Sequence, residues 1–264
     1  MEKFRQSSNV TTHVVSGGGN RLSSNRKGFT LAEGATHVAM LNSQRRFGFT
    51  LAEVLVTLGI IGVVSAMTVP SLMQNYQRQS YVAQLHKVYN ETSQAIIQYV
   101  NDRNAINIKE AGLLSNDAID EFVKKYYKVV QDCGTEYSPC FADEYKGLNG
   151  VSKGALFNST AYNHYVLASG AAVMLSARDD NIQFYIDTNG RKGPNIVGRD
   201  AFAIQIYIDG TLDDRATPYV SSTTPPTKDE RETTYTNTCA NQTTGGEWWG
   251  CFGKILNDNW QMTY

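Results

Sequence analysis

Hydrophobic and polar positions change pattern three times along the chain. Residues 49–69 are apolar on every helical face, with one charge, Glu53. At about 1.5 Å per residue such a helix spans about 30 Å, the hydrocarbon thickness of a bilayer. Eleven of these residues are Phe, Leu, Ile or Val. They favour insertion by about 5 kcal/mol, against a cost of about 3 kcal/mol for a central carboxylate, so the segment is expected to insert. Beyond Pro70 the pattern becomes amphipathic: Val82, Leu85, Val88, Thr92, Ala95, Ile96 and Tyr99 recur at helical spacing, with Gln84, Lys87, Glu91 and Gln98 between. This predicts one helix continuing through 70–101 and ending near Asn101-Asp102-Arg103-Asn104. A second helix is predicted at 117–130, where Ile119, Phe122, Val123 and Tyr126 share a face. Residues 172–176, 182–186 and 202–208 are short, β-rich and partly alternating, and Asp209-Gly210 signals a turn. A helical spine followed by an antiparallel meander is an α+β arrangement. Residues 217–238, rich in Thr, Pro and charge, are expected to form a surface loop, and Trp260–Tyr264 to dock.

The chain has 264 residues, 41% hydrophobic and 19% charged, which suits a folded protein with a sizeable core. Its net charge of −1 hides an asymmetry. Residues 1–48 hold seven Lys/Arg and two Asp/Glu, so the rest is acidic. A basic head before an apolar segment places the N-terminus in the cytoplasm. The acidic body has no basic run suited to nucleic acid. Cys133/Cys140 and Cys239/Cys251 form two close pairs without the short spacing of zinc or thioredoxin-type sites. Proximity in sequence suggests two local disulfides in an oxidising compartment, contributing about 2.5 and 3 kcal/mol by loop entropy. No catalytic constellation is evident. His13 and His37 lie in the basic head, His86 on the spine, and His164 is expected to be a surface or partly packed residue rather than a base. Trp248-Trp249 is the best candidate for exposed recognition, but core packing is the favoured reading.

An ionisable group inside a membrane segment marks a functional site. Arg45-Arg46-Phe47-Gly48 precedes Phe49-Thr50-Leu51-Ala52-Glu53 and the apolar run. This stretch resembles the class III signal of type IV prepilins and type II secretion pseudopilins. The resemblance implies cleavage between Gly48 and Phe49 by prepilin peptidase, N-methylation of Phe49, and an assembly role for Glu53. Gly62 and Pro70 match positions bracketing a segment that unwinds in assembled filaments; a glycine weakens helix and a proline removes a donor. A general secretory signal would instead be cleaved after the apolar core, near Ser65-Ala66-Met67.

Gly28–Glu33 repeats Gly48–Glu53 letter for letter, but Gly34-Ala35-Thr36-His37 follows it, which cannot begin a membrane helix. The leader 1–48 is therefore read as duplicated, or as containing sequence upstream of a start at Met40, which would leave a leader of 40–48.

The connection from Asp187 to Asp200 invites a metal reading. Asp187, Asn189 and Asp200 supply hard oxygens and Gly190 permits a sharp turn, as calcium loops need. Arg191 stands where an EF-hand places an oxygen ligand, and the closing Glu is absent. A turn-rich structural loop is the favoured reading, and calcium the alternative. The resemblance to major pseudopilins, which bind calcium in the head, keeps that alternative open.

The resemblance implies a pilin-like fold: leader 1–48, transmembrane helix 49–69, spine continuation 70–101 and globular head 102–264. It implies a non-enzymatic filament subunit of a type IV pilus or type II secretion pseudopilus, held in the inner membrane with the head periplasmic. Its expected partners are prepilin peptidase, other pilin or pseudopilin subunits and an inner-membrane assembly platform. The alternative is a minor pilin whose head binds a surface, DNA or secreted cargo.

Overall fold

The structure, a computed structural model, describes residues 48–215, 223–241 and 249–264. The repeated leader motif, Met40 and Trp248 lie outside the described residues. The chain divides into two units, Met1–Thr50 and Leu51–Tyr264. In the first, residues 48–50 are exposed and belong to no helix or strand.

The second unit begins with helix α1, Leu51–Asp102, unbroken through Gly62 and Pro70. Its two halves differ as the sequence pattern requires. Residues 51–77 are exposed on every side, whereas Val82, Leu85, Val88, Thr92, Ala95, Ile96 and Tyr99 form a buried stripe. Thr92 is a polar member of that stripe, and its hydroxyl donates to the Val88 carbonyl at 2.8 Å.

Helix α2, Asn116–Tyr126, is capped by Ser115, whose side chain accepts from the Ala118 amide. It stops short of the predicted end at 130. Val129-Val130 are β-branched and begin strand β1, Val129–Gly134, which pairs with the backbone of residues 164–167.

The main sheet is antiparallel. Strands β2 (Tyr145–Lys146) and β3 (Ser152–Gly154) form a small separate pair. Strands β4 (His164–Leu167), β5 (Ala172–Ala177), β6 (Asn181–Asp187), β7 (Ala201–Tyr207) and β8 (Leu212–Asp213) join β1 in the order β1-β4-β5-β6-β7-β8. Consecutive strands therefore neighbour one another throughout β4–β8. Gly210, at φ +86°, closes the turn between β7 and β8, and Asp209 accepts the Thr211 amide there at 2.9 Å.

Period-two alternation splits the sheet's side chains between two cores. Val173, Leu175, Ile182, Phe184, Ile186, Phe202, Ile204 and Ile206 join the buried stripe of α1. Ala172, Met174 and Ala201 face a second cluster built on Phe141, Tyr145 and Phe157. Because both faces are covered, the strands read as nearly continuous apolar runs rather than clean alternation. β7 is buried at all seven positions.

Residues 217–238 are not wholly loop. Helix α3, Lys228–Thr234, begins at a capping box in which Thr227 and Glu230 satisfy each other's backbone amides. A π-helical turn, Tyr235–Cys239, follows. Helix α4, Cys251–Asn257, completes the C-terminal part. Disulfides join Cys133 to Cys140 and Cys239 to Cys251. Asp214 is fully buried and accepts the Gly250 and Gly253 amides at 2.9 and 2.6 Å, holding the start of α4 against the end of β8. The terminal segment docks on α1: Trp260 stacks on His86 with ring centroids 3.9 Å apart, and Met262 is buried.

Candidate functional site

Two places carry chemistry: the start of the apolar helix and the β6–β7 connection.

Glu53 lies in the first turn of α1, where a carboxylate complements the helix dipole. Around and beyond it, Leu51, Val54, Leu55, Val56, Leu58, Ile60, Ile61, Val63, Val64, Met67 and Val69 are all exposed. A helix apolar all round is stable only when something apolar surrounds it, either lipid or other helices. This one is long and apolar enough to cross a membrane, with a mean hydropathy of 2.0 and none of that stretch buried within the chain. Gly48 and Phe49 precede it, exposed and outside any helix or strand.

Residues 43–69 match the family described as the prokaryotic N-terminal methylation motif, the class III signal of type IV pilins and pseudopilins. No curated protein and no solved structure matches the chain. The matched motif is joined to a long apolar helix and an α+β head, the arrangement that a type IV pilin-like or pseudopilin precursor requires. Such a motif suggests a structural subunit rather than an enzyme.

In the β6–β7 connection, Asp187 and Asp200 are both fully buried. Tyr145 donates its hydroxyl to Asp187 at 2.6 Å, and the Asn189 amide donates to the same carboxylate at 3.2 Å. Asp200 accepts the Asn195 and Ile196 amides at 2.8 and 2.6 Å. The Lys146 amide donates to the Asn195 carbonyl at 2.9 Å, tying β2 to the loop. Burial pushes the Asp187 carboxyl up to about 8; the Tyr145 hydrogen bond opposes the rise and the Asp200 charge adds to it. Burial likewise raises Asp200. Neither carboxylate is in a salt bridge among the described residues. Burial without a counter-ion disfavours the charged form of both carboxyls.

The same loop holds buried side-chain oxygens without hydrogen-bond partners among the described residues: Thr188 Oγ1, Asn189 Oδ1 and Asn195 Oδ1. Orphaned hard oxygens beside two carboxylates fit a hard cation such as calcium. Among the described residues no group of three His, Cys, Asp or Glu is placed to hold a metal, so a donor set here would be two carboxylates supplemented by amide and hydroxyl oxygens. Arg191, which occupies a ligand position in the EF-hand pattern, instead pairs with Asp143 at 3.2 Å. The sequence pattern pointed to Asp187, Asn189 and Asp200 but not to Asn195 or Tyr145. Asn195 had a local signal in Pro194-Asn195; Tyr145, 42 residues before Asp187, had none.

His164 is not a surface residue. It is completely buried, and its ring nitrogens lie 3.2 and 2.7 Å from the Gly134 and Phe157 carbonyls, where it bridges β1 to the second core. Trp249 is buried against Tyr185, with Arg215 over its ring, so its indole serves packing.

Proposed function

We propose that this chain is a structural subunit of a type IV pilus or type II secretion pseudopilus. It is made with its N-terminus in the cytoplasm and its head outside the inner membrane. Prepilin peptidase cuts after Gly48 and methylates Phe49. The mature subunit, delivered by an inner-membrane assembly platform, polymerises through residues 49–69, with the spine 70–101 and the head 102–264 carried outward. Glu53 of one subunit pairs with the Phe49 amine of its neighbour, and the stretch between Gly62 and Pro70 is where the helix loosens on packing. One observation supports this reading above the others: the methylation motif runs into an apolar helical stretch that none of the described residues buries. We further infer that the β6–β7 connection holds calcium through Asp187, Asn189 and Asp200, supported by the unpartnered oxygens beside them. In a host with the peptidase, N-terminal mass spectrometry should find methylated Phe49. Phe29, or a residue after Ala66, at the terminus would overturn the processing step.

A further inference from the structure

Where α1 enters the head, a hollow of about 520 Å³ opens between the helix and the C-terminal segment. Its walls include Asn75, Arg78, Gln79 and His86 from α1, and Trp260 and Gln261 from the C-terminal segment. The stacked His86–Trp260 pair makes one side rigid, while Val82 and Met262 give it an apolar floor.

Its height along the helix is telling. Glu53 and Arg78 are consecutive charges, with none between them. At about 1.5 Å per residue, Arg78 lies about 38 Å from Glu53 along the axis. A bilayer is about 30 Å thick in its hydrocarbon and about 40–45 Å with both headgroup layers. Exposed apolar side chains continue past Val69 through Leu72 and Met73 to Tyr76, an aromatic of the kind that sits at membrane interfaces. Arg78 comes two residues later. It is the first residue of α1 that the head partly covers, and it forms no salt bridge among the described residues. An unpaired guanidinium with the side-chain amides of Asn75, Gln79 and Gln261 around it offers donors suited to a phosphodiester.

We propose that this hollow holds the headgroup of an anionic phospholipid from the leaflet beneath the head, with its phosphate on Arg78. The inference rests on the membrane-anchored reading above. It makes the bound lipid a tether that each subunit must release when it leaves the bilayer.

The test uses the full chain reconstituted in vesicles of phosphatidylcholine, with or without phosphatidylglycerol. Flotation first establishes that wild type and Arg78→Gln both sit in the membrane. Native mass spectrometry then counts the retained lipids. Wild type should retain one phosphatidylglycerol in about five-fold preference over phosphatidylcholine, the worth of one basic residue near an anionic surface. Arg78→Gln should lose that preference, while Arg103→Gln, at the far end of α1, should keep it. Equal retention of both lipids by wild type would overturn the proposal. So would a preference that survives Arg78→Gln, or displacement of the lipid by millimolar inorganic phosphate. If both proteins float but neither discriminates, only this inference fails; if wild type does not float, the membrane reading falls with it.

Discussion

Glu53 is one carboxylate in an otherwise apolar layer, and its worth depends on what surrounds the helix. In lipid it costs up to about 3 kcal/mol, so Glu53→Leu should insert into the membrane at least as well as wild type. Cleavage after Gly48 should survive too, because the junction is untouched. In a filament, the Phe49 ammonium of a neighbour would lose its partner, and an unpaired desolvated charge is strongly unfavourable. Filament yield should therefore collapse while membrane level and cleavage stay normal; normal assembly of Glu53→Leu would show that the carboxylate is merely tolerated. This site was legible in the sequence because all its information is local: glycine, phenylalanine and glutamate within six residues. His164 was not legible. The carbonyls its ring meets, at Gly134 and Phe157, are 30 and seven residues away.

Among the elements, α1 and strands β5, β6 and β7 follow directly from periodicity. The β6–β7 connection is more than a hairpin loop, since its carboxylates organise two separate stretches of loop backbone and reach β2 through Tyr145. If it holds calcium, the metal binds the folded head alone and must raise its melting temperature, by about 2.7 kcal/mol of stability at a hundred times the dissociation constant. Chelation should reverse the shift. Asp187→Asn and Asp200→Asn should each abolish the calcium-dependent part of it; a wild-type melting curve indifferent to both calcium and chelator would exclude the site. The short elements were harder to read. β1 and β4 define each other through pairing across 30 to 38 residues, so neither has a strong local pattern. In α3, a capping box and the Arg231–Asp213 ion pair hold a threonine-rich segment whose helix propensity is poor.

For the whole molecule, the head is closed at its C-terminal side by covalent and packed contacts together. The Cys239–Cys251 disulfide lies against Gly198, at φ +89°, where an added Cβ would come within 2.7 Å of the Cys251 sulfur. The bridge thus joins α4 to the segment before α4 and also buttresses the end of the β6–β7 connection. Cys239→Ser with Cys251→Ser should lower the stability of the head by about 3 kcal/mol. Denaturant melts of protein exported to an oxidising compartment would check this, with a non-reducing peptide map showing the pairs Cys133–Cys140 and Cys239–Cys251 in wild type. Crossed pairs or free thiols in that map would refute it. The sequence by itself determined the apolar helix, its processing signal, the amphipathic stripe that carries the head and the three central strands. Each is written in consecutive residues or in a fixed period, and burial along one helix or strand reads that period directly. Only the tertiary structure decided that the sheet is covered on both faces. It also decided that His164 and Trp249 are core, that Tyr145 meets Asp187, and that Arg78 and Trp260 line one hollow. These depend on which distant segments share a layer, and contacts between segments far apart in the chain leave no period in a single sequence.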